Sequence, residues 1–131
     1  MYLSTAGIFN ADSDMGNMRK VVPTEQWEQE QLVKWLENEG YKFTAIPNST
    51  YTPSHAAKAK NTRAGLRPGF PDLIVLAKMQ ILCIEMKRLK GGKLSPEQRG
   101  WLDALAECGA ISMVCYGHQD AIARIKAIEL Y

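Results

Sequence analysis

An α/β fold is the class this sequence predicts, and three observations predict it. Residues 24–39 carry apolar positions at helical spacing, between a capping threonine and a glycine stop. Residues 73–76 and 81–84 are unbroken Leu, Ile, Val and Cys, the composition of strands buried on both faces. A helix, a strand and a second helix then fill the C-terminal third. The expected order is helix, strand, strand, strand, helix, strand, helix, which lays helices against a sheet. At 131 residues this is one domain. A chain of that size buries roughly two-thirds of its unfolded surface and needs no staples.

Residues 1–22 hold turn-formers with little periodicity, among them Asn10-Ala11-Asp12-Ser13-Asp14 and Gly16-Asn17. They are expected to form an N-terminal arm, either mobile or packed on a second subunit. The first helix opens with Thr24 as cap, buries Leu32, Val33 and Leu36, and stops at Gly40. Tyr41 to Ile46 reads as a strand broken by Pro47-Asn48, and an irregular region follows to Pro71. Gly69-Phe70-Pro71 sets the entry angle of the next strand. Ser95-Pro96-Glu97-Gln98 opens a helix that buries Trp101, Leu102 and Leu105 and stops at Gly109. Ile111 to Tyr116 is a strand, and Gly117 precedes a last helix with Ile122, Ile125 and Ile128 on one face. Trp27, Trp35 and Trp101 sit at helical spacings and read as core or interface.

The chemistry lies at the ends of the two apolar strands. Asp72 opens the first, and Glu85-Met86-Lys87 closes the second. An ionised carboxylate at the end of a buried strand is costly unless paired. Two carboxylates and one lysine at one edge of a sheet offset that cost by holding a hard divalent cation, and oxygen ligands suit Mg²⁺ or Mn²⁺. Glu85 and Lys87 share a strand face, while Met86 points away. A turn of two or four residues around Lys78-Met79 puts Asp72 opposite Glu85 on that face. A three-residue turn inverts it, unless a bulge re-aims the aspartate. The bland alternative is a pair of ordinary strand ends with a Glu85–Lys87 surface pair.

Net charge is only +2, so bulk charge does not announce nucleic acid, but its distribution does more. Lys58, Lys60, Arg63 and Arg67 lie in a stretch without acids from His55 to Pro71, and Lys87, Arg88, Lys90 and Lys93 form a second basic run. Both flank the carboxylates, as a groove following phosphates requires; solvated loops are the alternative. His55 has no partner at a recognisable spacing and reads as a loop residue or phosphate contact.

The wider spelling carries a resemblance. Pro71-Asp72, thirteen residues to Glu85, then Glu85-Met86-Lys87, resembles the PD-(D/E)XK nuclease signature. Glu25 with Gln29, Ile46-Pro47-Asn48, Gly65-Leu66-Arg67-Pro68-Gly69-Phe70-Pro71-Asp72, Gly91-Gly92-Lys93-Leu94-Ser95-Pro96-Glu97-Gln98 and Val114-Cys115-Tyr116-Gly117 resemble the virus-type replication-repair nuclease domain, VRR-NUC. The resemblance implies a restriction-endonuclease-like core over residues 23–131, a mixed central sheet flanked by helices. It implies a Mg²⁺- or Mn²⁺-dependent DNA endonuclease with Asp72, Glu85 and the Met86 carbonyl as metal ligands and Lys87 as the catalytic cation. It also brings a helix glutamate to the metal, Glu25 first and Glu28 as fallback; taken alone, Glu25 reads as a solvated first-turn acid. Gln98 is explained by a capping box, and the resemblance adds a place near the active site. Branched DNA or a four-way Holliday junction is the implied substrate, a homodimer the implied assembly, and the cytoplasm of a bacterial or phage-infected cell the implied location. A restriction-type or end-processing nuclease and a non-catalytic DNA-binding module of the same fold are the alternatives.

Cys83, Cys108 and Cys115 lack metal-type spacing and read as reduced core residues. No stretch is long and apolar enough to span a membrane, and the N-terminus shows no basic-then-apolar signal pattern.

Overall fold

The computed structural model describes residues 21–47 and 54–130. The expected arm, apart from Val21 and Val22, lies outside the described residues, as does Asn48. Eight elements follow in order: α1 (Glu25–Glu39), β1 (Lys42–Ala45), α2 (His55–Arg63), β2 (Leu73–Ala77), β3 (Gln80–Lys87), α3 (Pro96–Glu107), β4 (Ile111–Tyr116) and α4 (His118–Glu129). The fold is α/β. Its mixed sheet runs β1-β2-β3-β4, with β1–β2 and β2–β3 antiparallel and β3–β4 parallel.

Local chemistry sets the ends of α1. The Thr24 hydroxyl accepts from the Trp27 amide at 3.0 Å. Gly40, at φ 82, turns the chain so that its own amide and that of Tyr41 close on the Glu37 and Leu36 carbonyls. That is the Schellman pattern, and Tyr41 completes it by stacking on Trp35 at 5.5 Å. α1 and α4 cover one face of the sheet. There Leu32, Leu36 and Ile125 meet Leu73, Val75, Leu82, Ile84, Met86, Met113 and Cys115, all buried. α3 packs on β4 from the other face, burying Leu102.

The β2–β3 hairpin decides where the site chemistry lands. Ala77 pairs with Gln80, leaving a two-residue turn at Lys78-Met79, and Leu73 pairs with Ile84. Both turn residues have positive φ, 51° and 66°, as a type I′ turn requires. The register therefore carries Asp72 opposite Glu85, as an even-numbered turn demands.

Several expectations are corrected. The region before Pro71 is not irregular throughout, because residues 55–63 form α2, capped by Ser54 on the Ala57 amide. Nothing on α2 is buried, so no apolar stripe marked it, and His55 is its first residue rather than part of a loop. The strand pair is not buried on both faces along its whole length. Leu76 and Ile81, paired near the hairpin tip, are exposed because no helix covers that end of the α3-side face among the described residues. Trp101 and Leu105 are only half-buried. Cys108 is exposed at the end of α3, unlike Cys83 and Cys115. No described helix is long and apolar enough to cross a membrane.

Met79 is fully exposed, and its left-handed backbone costs an L-residue about 1 kcal/mol or more. Met79→Gly is expected to stabilise the protein by roughly 0.5–1 kcal/mol in urea unfolding. A loss of stability would show that the turn is not held in this conformation.

Candidate metal centre

One rim of the sheet gathers five element ends. β2 begins there, β3 and β4 end there in parallel, α3 begins there, and the first turn of α1 reaches it. Glu25, Asp72 and Glu85 each bring a carboxylate oxygen to this rim, all within 4.8 Å of one another. Each is fixed separately. Asp72 is held from both sides: its carbonyl accepts from the Ile46 amide at 2.9 Å, extending the β1–β2 ladder, and its side-chain Oδ2 accepts from the Met86 amide at 2.7 Å. Glu85 stands on β3 and is 1% exposed. Glu25 comes from the first residue of α1.

Lys87, two residues beyond Glu85, is 7% exposed. Its Nζ donates to Gln98 Oε1 at 3.1 Å and lies 3.6 Å from Glu85 Oε2. Gln98 has two tasks. Its amide donates to the Ser95 hydroxyl and its Oε1 accepts from the Ser95 amide at 2.9 Å, which is the capping box of α3. The Ser95 N–H can only donate, so it fixes Oε1 on that side and turns Nε2 toward Glu85 Oε2, 2.9 Å away. The cap of α3 and the acidic rim are thus joined in one hydrogen-bond network through Gln98. The loop ahead of Asp72 is tied to the same helix. Trp101 Nε1 donates to the Pro68 carbonyl at 3.0 Å, and the Phe70 ring meets the Trp101 ring edge-on at 5.0 Å. Gly69, at φ 96, approaches so closely that a Cβ would lie 2.7 Å from the Glu97 carbonyl carbon.

The electrostatics are unbalanced. With all three acids ionised, three carboxylates against a single ammonium leave two negative charges, which one divalent ion would neutralise. Without such an ion, burial pushes the Glu85 carboxyl up to about 8, with the Asp72 charge adding to it and Lys87 opposing. Burial also raises Asp72, against the hydrogen bond from the Met86 amide. It raises Glu25, with Asp72 adding. Among the described residues, Glu85 Oε1 is buried and has no hydrogen-bond partner; a proton on Glu85 shared with Asp72 adds to the upward push on Glu85 when no ion is bound. Orphaned buried oxygens are rare, and a missing ion is one of their ordinary causes. The donor set is all oxygen, which suits Mg²⁺ or Mn²⁺, so the residues fit a divalent ion.

The other candidates fall into two groups. Lys58, Lys60 and Arg63 are exposed along α2, and Lys90 and Lys93 are exposed in the loop leaving β3. Two arginines have backbone partners instead. Arg67 Nη1 donates to the Thr62 and Leu66 carbonyls at 3.0 Å, closing the end of α2, and Arg88 Nη2 reaches the Val22 carbonyl at 3.3 Å. Glu28, the alternative helix carboxylate, is buried away from the cluster and bonds to His118, 90 residues on. Sequence gave no sign of that pair, since nothing but the packing of α1 on α4 brings the two together.

Comparison with known proteins fits this geometry. The family model described as the VRR-NUC domain matches residues 21–119. A solved structure titled a VRR_NUC domain protein superposes with a TM-score of 0.67 at 24% identity, covering 81% of this chain and 88% of the other. A second, titled VRR_NUC domain, gives 0.56 at 22% identity, covering 83% and 99%. At these identities the likeness shows the fold, a PD-(D/E)XK-like one. A search of curated proteins finds no match.

Carboxyls raised in the folded state keep protons that the unfolded chain has released. Stability is therefore present below about pH 4.5 and is lost as pH rises toward about 8. In EDTA the melting temperature is expected to fall by roughly 5 °C or more across that window. Millimolar Mg²⁺ or Mn²⁺ is expected to restore it, and Glu85→Gln to flatten the dependence. A melting curve that ignores both pH and metal would mean that the acids are solvated.

Proposed function

The chain belongs to the VRR-NUC family, a nuclease family, and we propose that it is a divalent-metal-dependent endonuclease hydrolysing phosphodiester bonds in DNA. The observation that carries this reading is the convergence of the Glu25, Asp72 and Glu85 carboxylates beside Lys87, with one oxygen of the buried Glu85 left unpartnered among the described residues. In this reading Asp72 and Glu85 hold the ion, Mg²⁺ or Mn²⁺, Glu25 closes the set, and the Met86 carbonyl offers a further oxygen. When bound, a divalent ion supplies charge neutralisation at the phosphoryl and leaving oxygens and a water acidic enough to attack phosphorus.

The chain's own residues do the rest. The Met86 amide fixes the Asp72 carboxylate, so one of its oxygens is held while the other remains for ligation. Lys87 delivers a positive charge to the same rim, where it steadies negative charge developing on the phosphoryl group or aligns the attacking water. Gln98 is the positioning residue for both: its carbonyl holds the Lys87 ammonium and its amide holds Glu85 Oε2. Burial keeps solvent from screening these charges. Lys58, Lys60, Arg63, Lys90 and Lys93 are proposed to follow the phosphate backbone on either side. Arg67 and Arg88 join them only by giving up part of their backbone bonding.

Within DNA we favour branched structures, four-way junctions first. A junction offers two symmetric strands, which a homodimer with two identical sites can cut as a pair, and a twofold dimer is the commonest oligomer. The resemblance to junction-resolving family members supports this choice, as do basic groups in two separate segments. Restriction-type or end-processing cleavage, and binding without cleavage, are the competing outcomes.

The test is cleavage of four-way junctions, flaps, nicked and linear duplexes in Mg²⁺, Mn²⁺ or EDTA. Paired symmetric cuts in the junction are expected, abolished by EDTA. Asp72→Ala and Lys87→Ala are each expected to lose at least about 100-fold in rate while still folding. Undiminished cleavage by either variant would remove this mechanism, and metal-independent binding without cuts would favour a non-catalytic module.

A further inference from the structure

One buried charge has no part in the chemistry proposed above. Glu28 is 2% exposed and lies one helical turn beyond Glu25 on α1. A carboxylate so buried needs partners. Its Oε1 accepts from the His118 amide at 2.8 Å and sits 2.7 Å from His118 Nδ1. Trp27 meets the imidazole edge-on at 5.6 Å. Gly117, just ahead, donates its amide to the Lys87 carbonyl at 2.9 Å. At φ 88, with a Cβ position 2.6 Å from Leu89, it accepts no other residue without strain. The backbone just ahead of the imidazole is thus pinned to the last residue of β3, and the ring is held at the start of α4 by a glutamate one helical turn from Glu25.

Helix capping explains only half of this arrangement. α4 has no side-chain cap of its own, so a carboxylate accepting the His118 amide is structurally sufficient there. It does not require the ring. The ring nonetheless turns Nδ1 onto the same oxygen, which fixes the proton on that nitrogen. Nε2 is left on the outer edge of a side chain that is 23% exposed. Asp120, the nearby acid on α4, does not compete, because it is engaged by the Tyr116 amide and by Arg124.

We propose that His118, oriented by Glu28, is a phosphate-binding residue gripping the DNA backbone on the β4 side of the acidic cluster. Glu28 is its positioning residue. In its protonated form the ring presents an Nε2–H at the rim, a charge-assisted donor of the kind phosphates take. The lysines of α2 and of the loop after β3 are exposed and free to swing. His118 is not, so its contact sets the register of the backbone against the carboxylates. The inference rests on the nuclease reading and adds a residue to it.

The test is the salt dependence of duplex binding by the full chain in EDTA and mildly acidic buffer, for wild type, His118→Gln, His118→Arg and Glu28→Gln. His118→Gln is expected to lower the slope of log K against log salt by about one. His118→Arg is expected to recover most of that, and Glu28→Gln, which keeps an oxygen for the α4 amide, to fall between. The chain has two histidines, so His55→Gln leaves one imidazole for nitrogen NMR. Its Nε2 signal is expected to shift when duplex is added, a readout that stands even if His118→Gln fails to fold. A wild type that cuts DNA, with an unmoved ring signal and an unchanged His118→Gln slope, would reduce the pair to a helix cap. A wild type that neither binds nor cuts DNA would sink the nuclease reading and this inference with it.

Discussion

Desolvated negative charge is the constraint on which the rest of the structure depends. Glu85 has almost no contact with water, carries a second carboxylate opposite it and a third across the rim, and has one oxygen with no partner among the described residues. A fold tolerates that only if something offsets the cost. Lys87 offsets part of it, protonation of Glu85 relieves more when no ion is bound, and the proposed divalent ion would match the two negative charges that remain when all three acids are ionised. The neighbouring hydrogen bonds make sense in that light. They hold the acids in place without satisfying them, since Gln98 occupies one Glu85 oxygen and the Met86 amide one Asp72 oxygen.

The site is also inseparable from the ends of secondary structure. Gln98 closes the capping box of α3 and bridges Lys87 and Glu85 with the same amide group. Glu28 caps α4 and orients an imidazole with the same oxygen. Gly69 lets the loop before Asp72 press on the backbone of α3, and Trp101 ties that loop down. Helix starts bring unsatisfied N–H groups to this end of the fold, and those groups are answered by side chains to which the proposed chemistry also gives a part. A change at a cap is therefore expected to reach the carboxylates, although Ser95 and Gly69 are not among them.

Much of this was legible in the sequence, for identifiable reasons. Strand alternation fixed Glu85 and Lys87 on one face, and pairing parity reduced Asp72 to two possible sides. The turn itself was ambiguous, because Lys78-Met79 is not a pair that favours positive φ. α2 escaped notice because residues 55–63 bury nothing, so only its serine cap and its alanines and lysines favour a helix there. Glu25 and Glu28 share a helix face, and only the seating of α1 on the sheet sends one to the acidic cluster and the other to His118. That His118 meets Glu28 could not be read from spacing at all, because tertiary packing joins them across 90 residues.

The most direct measurement is anomalous diffraction from crystals grown with Mn²⁺. A single strong peak bridging the Asp72 and Glu85 carboxylates, with Glu85 Oε1 among the ligands and Glu25 alongside, is the result this account requires. A rim with no peak, where the Lys87 ammonium has moved in among the three acids to neutralise them, would contradict it.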